Sequence, residues 1–181
     1  TPAVQMSVID QMTSRPKLVV LDTMNFWMEI ALDDLKKVLK KVDVVTINDE
    51  EARMLSGEYS LVKAARKILK MGPKYLIIKK GEHGAFLFNN EEVFFAPALP
   101  LEEVFDPTGA GDAFAGGFIG FLAASEDISF ENMKRAIIYG SAMASFCVEK
   151  FGTERLQNLT KKEIDNRIQQ FVDLTQVEIK F

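Results

Sequence analysis

The sequence predicts an α/β protein: a mostly parallel central sheet with helices on both faces and an added antiparallel hairpin. Three observations predict it. Short apolar runs rich in β-branched residues alternate with stretches of helical periodicity. Glycine, proline and asparagine mark the boundaries between them. Near the middle, two strand-like runs are separated by Asn89-Asn90 instead of a helix. With 181 residues, 48% hydrophobic and 27% charged, the chain has ordinary globular composition, and one domain over 1–181 is expected.

Residues 17–22 form the first buried strand, ending in Asp22, whose place at a carboxyl end points it towards a ligand edge. From Met28 to Lys41 apolar residues recur at helical spacing, and 42–47 is again strand-like. Asn48 then opens a helix ending near Gly57, and Ser60 caps another that stops at Met71-Gly72-Pro73. Strands are expected at 75–78, 85–88 and 93–96, with a tight turn at Gly81-Glu82-His83-Gly84. After a proline-containing loop come helices at about 111–124, 129–149 and 160–173. Repeats and low-complexity segments are absent.

A net charge of −4 without a basic block or aromatic-interleaved cationic stripe argues against a nucleic-acid partner. Cys147, the single cysteine, excludes an intrachain disulfide and reads as a small core residue in a reducing compartment. The N-terminus has no secretory pattern and no apolar run is long enough to span a bilayer, so the expectation is a cytoplasmic protein without membrane contact.

The chemistry-bearing stretch is Asp106-Pro-Thr108-Gly109-Ala110-Gly111-Asp112, followed by Ala-Phe-Ala-Gly-Gly. Gly109, Ala110 and Gly111 carry little or no side chain, so backbone N–H groups at a helix start can close on an anion with the helix dipole behind them. Asp112 lies in the first turn, where the dipole favours its ionised form and it can accept a proton from an attacking hydroxyl. Ala113, Ala115, Gly116, Gly117 and Gly120 make the helix slim, which predicts close packing along it. A bare Gly-x-Gly-Asp is as often an ordinary helix start; the longer string is more specific.

Read whole, this string closely resembles the C-terminal signature of the ribokinase family, the PfkB-type carbohydrate and nucleoside kinases. Two further motifs fall in family order. Asn48-Asp49-Glu50-Glu51 is similar to its Asn-x-x-Glu motif, which implies Asn48 near the nucleotide phosphates and Glu51 positioning magnesium through water. Alone, this motif reads as a helix cap followed by a solvated acidic first turn. Lys79-Lys80-Gly81-Glu82-His83-Gly84 resembles the Gly-x-x-Gly turn lining the ATP cleft and implies nucleotide contacts from Lys79, Gly81, Glu82 and Gly84. His83, in that turn, is read as exposed or touching nucleotide, not as catalytic. Asp106 and Thr108, with the turn at 151–153, would hold a monovalent cation such as potassium where one is used. Ser141 stands where many relatives carry an adenine-side asparagine.

The resemblance implies direct in-line transfer from ATP to a hydroxymethyl group on a small sugar or nucleoside. Asp112 would be the base and Gly109, Ala110 and Gly111 the anion hole. The absence of a Walker-type Gly-x-x-x-x-Gly-Lys string and of His-Arg-Asp or Asp-Phe-Gly disfavours P-loop and protein kinases. A dinucleotide-binding dehydrogenase is disfavoured too, since no Gly-x-Gly-x-x-Gly follows the first strand. The resemblance covers only the C-terminal part of such a kinase; the substrate-gripping and lid half is unmatched, so the expectation is a fragment of a longer kinase. The alternative is a truncated, non-catalytic nucleotide-binding module that needs the missing half. Relatives often dimerise through the lid, so the resemblance allows a homodimer of the full-length protein. Which sugar or nucleoside is accepted stays open.

Overall fold

Parallel strands need covering helices between them, and alternation of the two gives the first of two compact units, Thr1–Lys80 with Phe86–Phe94; the second is Gly81–Ala85 with the chain from Phe95 onward. The computed structural model describes residues 1–178.

The first unit runs α1 (Pro2–Asp10), β1 (Val20–Asp22), α2 (Asn25–Ile30), α3 (Leu32–Leu39), β2 (Val44–Asn48), α4 (Asp49–Ser56), α5 (Leu61–Leu69) and β3 (Tyr75–Lys79). With β4 (Ala85–Phe88) and β5 (Val93–Ala96), these strands form a mixed five-stranded sheet in the order β1-β2-β3-β4-β5. β1 pairs parallel with β2, and β2 with β3, with Asp22 opposite Thr46 and Asn48 opposite Lys79. Because alternate residues of a strand share a face, Asp22, Thr46, Asn48 and Lys79 lie on one side of the sheet at its carboxyl edge. The core is aliphatic: Leu35, Val38, Leu39, Val45, Ile47, Ile68, Leu76 and Ile78 are fully buried.

Several expected bounds move. The first strand begins at Val20, not residue 17, because the backbone of Val19 instead donates to the Asp43 side chain at 3.0 Å. The helix read over 28–41 is two helices, broken at Ala31, whose backbone (φ −144, ψ 35) leaves the helical region. Helix α1 is an addition. Thr1 caps it and Pro2 occupies its first position, and Met6 and Ile9 pack against the core.

The second unit holds α6 (Ala110–Ser125), α7 (Phe130–Cys147), the short α8 (Glu154–Gln157) and α9 (Lys161–Thr175) around buried Phe118, Phe146 and Phe171. The slim-helix expectation holds at one point. A Cβ on Gly117 would sit 2.7 Å from Met143 Cγ and 3.0 Å from Gly140 Cα, and one on Gly140 would sit 2.7 Å from the Phe114 carbonyl oxygen. The two helices therefore meet backbone to backbone. Gly116 and Gly120 face open space instead, where a Cβ would have nothing within 4 Å. Gly116→Ala should accordingly stabilise the protein by about 0.5–1 kcal/mol, read as a raised urea midpoint.

The end of α7 is tied to α8 and α9 by ions. Glu149 accepts from Arg155 Nε at 2.8 Å and Arg167 Nη2 at 2.5 Å, and Arg155 Nη2 donates to Glu163 at 2.7 Å. Both guanidinium groups lie over the Phe146 ring, at 5.0 and 4.0 Å from its centroid. The Thr160 hydroxyl and N–H, and then Arg155, hold Glu163 at about 2, below its ordinary 4.5. A carboxyl depressed on folding stabilises above its unfolded value, and that contribution is lost as pH falls through the folded one. Glu163→Gln should therefore lower the urea midpoint at neutral pH, with the gap to wild type closing between 4.5 and about 2.

Candidate functional site

In the second unit, the loop before α6 is shaped by its own side chains. Asp106 Oδ1 accepts the Thr108 N–H at 2.9 Å, and the Thr108 backbone and side-chain bonds hold the Asp106 carboxyl below its ordinary range. The Ala110 N–H reaches the Pro107 carbonyl at 3.2 Å, and Gly109, at φ +81, turns the chain into the helix. That conformation is the one glycine adopts without strain. Among the described residues, the N–H groups of Gly109, Gly111 and Asp112 have no backbone acceptor. They are the orphan donors of a helix start, with the positive end of α6 behind them. Asp112 is the third residue of α6 and its side chain is exposed.

The loop is also strapped to the end of α7. Phe105 and Asp106 N–H groups both donate to the Val148 carbonyl, at 2.8 and 3.3 Å, and the Phe105 ring meets Phe151 edge-on at 4.6 Å. Ser141 is half-buried further back on α7. Gly81–His83 forms a single 3-10 turn closed by Gly84 N–H to the Gly81 carbonyl at 3.2 Å. Glu82 and His83 are exposed on it.

In the first unit, Asn48 and Glu51 cap one another: Asn48 Oδ1 accepts the Glu51 N–H and Glu51 Oε2 accepts the Asn48 N–H, both at 2.8 Å. The capping reading of this motif is therefore correct, and Glu50 is exposed as a solvated first turn requires, but Glu51 is not. Glu51 is only 7% exposed. Burial raises its carboxyl above the ordinary range; the Asn48 N–H and Lys79 pull the other way, and Asp22 adds to the rise. Lys79 Nζ contacts Asp22 Oδ2 at 2.9 Å. Beside them the Thr46 hydroxyl, on a residue 1% exposed, has no hydrogen-bond partner among the described residues. A pocket of about 120 Å³ is lined by Asn25, Asn48, Glu50, Glu51 and Met54.

Thus Asn48, Glu51 and Lys79 come together in one unit, and Asp106, Thr108 and Gly109 to Asp112 in the other. Thr46 and Asn25 were not expected there. Only the strand register brings Thr46 beside Asp22, and periodicity does not reveal register.

This architecture is ribokinase-like. Ribokinase from Thermotoga maritima superposes with a TM-score of 0.69 at 27% identity, covering 90% of this chain and 52% of that one. Fructokinase from Vibrio cholerae, solved with fructose, ADP and calcium, matches the fold with a TM-score of 0.80 at 19% identity, over 92% and 55% of the two chains. Residues 5–160 match the model of the pfkB family carbohydrate kinases, and the chain belongs to that family. Cytidine kinase from Thermococcus kodakarensis is 42% identical over 89 residues, which is 48% of this chain and 32% of the relative. The chain spans about half the length, or less, of these three proteins.

Proposed function

We propose that this chain is the ATP-binding and phosphoryl-transfer portion of a kinase acting on a hydroxymethyl group of a small sugar or nucleoside. The observation that carries the reading is an exposed carboxylate, Asp112, in the first turn of a helix at whose start the Gly109, Gly111 and Asp112 N–H groups have no backbone acceptor among the described residues, in a chain of this family. In this reading the Gly109, Gly111 and Asp112 amides receive the negative charge of the transferring phosphoryl group, the Ala110 N–H expected among them being taken up instead by the Pro107 carbonyl. Asp112 takes the acceptor hydroxyl's proton as its oxygen attacks phosphorus in line, and the bond to ADP breaks. Asn48, Lys79, Gly81, Glu82, Gly84 and Ser141 contribute to nucleotide binding.

Magnesium would supply countercharge to phosphate oxygens. The residues fit a water-rich ion rather than an all-protein cage. Among the described residues, no group of three or more His, Cys, Asp or Glu side chains could hold a metal. Glu51 would hold it through water, since one of its oxygens already serves Asn48. Asp106, kept ionised by Thr108, is the group to which a monovalent cation would bind, with Thr108 beside it.

A second reading is a nucleotide-binding module without turnover, in which the free amides at the start of α6 hold phosphate but no acceptor hydroxyl is activated. One experiment separates the two: titration of the protein with ATP and magnesium, then coupled ADP release over a panel of sugars and nucleosides, cytidine included. Turnover with any member supports the kinase; ATP binding without turnover, in a full-length protein containing this chain, supports the module. No ATP binding by that protein sinks both.

A further inference from the structure

Cys147, at the last position of α7, is only 3% exposed, and its thiol lies against the loop that opens α6. The Sγ donates to the Thr108 carbonyl at 3.7 Å, and a Cβ built on Gly109 would meet that sulfur at 3.8 Å. The next residue, Val148, accepts the Phe105 and Asp106 N–H groups. The carboxyl end of α7 is thus the floor on which residues 105–109 rest, and Cys147 is its only side-chain hydrogen bond to this loop among the described residues.

The consequence follows from peptide geometry. In a trans peptide the C=O and the next N–H point in opposite directions. Holding the Thr108 carbonyl down on the thiol therefore turns the Gly109 N–H up, away from α7, and Gly109 N–H is one of the unpaired donors at the helix start. A thiol suits the place: sulfur is large enough to fill the space under Gly109 and is a weak donor that tolerates burial.

We propose that Cys147 is a positioning residue of the phosphate cradle, setting the height and aim of the Thr108-Gly109 peptide. This rests on the kinase reading only for what the cradle does, not for whether it binds an anion.

The test compares Cys147→Ser with Cys147→Ala in a full-length protein containing this chain. The two replacements leave nearly the same space, but only serine keeps a donor. Inorganic phosphate is titrated while the Gly109 and Gly111 amide resonances are followed, and kcat and KM for ATP are measured in parallel. Alanine is expected to weaken phosphate binding at these amides by about fivefold relative to serine, the scale of one lost hydrogen bond. The kcat should fall by a similar factor, with KM for ATP little changed. Equal phosphate binding and equal kcat in the two variants would overturn the proposal, as would wild-type amides that ignore phosphate. If wild type binds phosphate there with the expected serine-alanine difference but turns over no acceptor, the positioning role stands and the kinase reading fails.

Discussion

Replacing Asp112 by asparagine is expected to lower turnover by about 10²–10⁴-fold, the usual contribution of a general base, while leaving ATP affinity nearly unchanged. The side chain keeps its size and its place in the first turn of α6, so the helix and its free amides stay as they are. What is lost is the capacity to take a proton. Steady-state kinetics with the identified acceptor, alongside calorimetric ATP titration, measures both quantities. A variant retaining wild-type kcat would remove Asp112 from the chemistry. Equal losses in ATP binding and in turnover would mean that it holds nucleotide rather than activating the acceptor.

The second large effect is on the Gly-x-x-Gly turn, whose two glycines are not equivalent. A Cβ on Gly84 would lie 2.1 Å from the Ala96 carbonyl oxygen, with Pro97 Cα and Ala98 N both under 3.0 Å, at a φ of +106. Backbone cannot yield as a flexible side chain can. Gly84→Ala should therefore cost about 2–4 kcal/mol, combining conformational strain with a forced backbone shift. Gly81 has φ +54 but nothing within 4 Å, so Gly81→Ala should cost only about 1–2 kcal/mol, for the left-handed conformation alone. Urea unfolding of the pair gives the comparison. Equal losses would mean that the close approach of residues 84 and 96 does not exist in solution.

The second β-strand and the helix after it were legible because local chemistry specifies them. Asn48 caps α4, Glu51 completes the box, and Gly57 ends the helix in a left-handed conformation that glycine tolerates. Residues 85–88 and 93–96 were legible for a similar reason, with Asn89 Oδ1 accepting from Glu91 and Glu92 N–H in the turn between them. The break at Ala31 was not, since alanine favours helix and nothing in its neighbours forbids one. Small residues along α6 were legible as a feature, but not which of them meets a neighbour. Gly117 packs and Gly116 does not, and only the phase of the α6-α7 contact decides between them.

The candidate site divides in the same way. The glycine-rich helix start, Asp112 and the Asn48-Glu51 pair are written in contiguous residues and could be read directly. The burial of Glu51, the Lys79-Asp22 contact and the unpartnered Thr46 hydroxyl could not, because each depends on strands distant in sequence lying in register.

The backbone contact between α6 and α7 also bears on the order in which the chain acquires its structure. The two helices are joined by residues 126–129 alone, so once each helix has formed, laying Gly117 on Gly140 requires only that four-residue turn to close and costs little further chain entropy. The parallel strands β1, β2 and β3 pair only across the connections 23–43 and 49–74, each holding two helices that must also dock, which is the slower route. A nascent chain should thus form the helical hairpin, with the Gly109–Gly111 opening at its start, without waiting on distant partners, whereas Asn48, Glu51 and Lys79 are aligned only once the parallel strands have found one another.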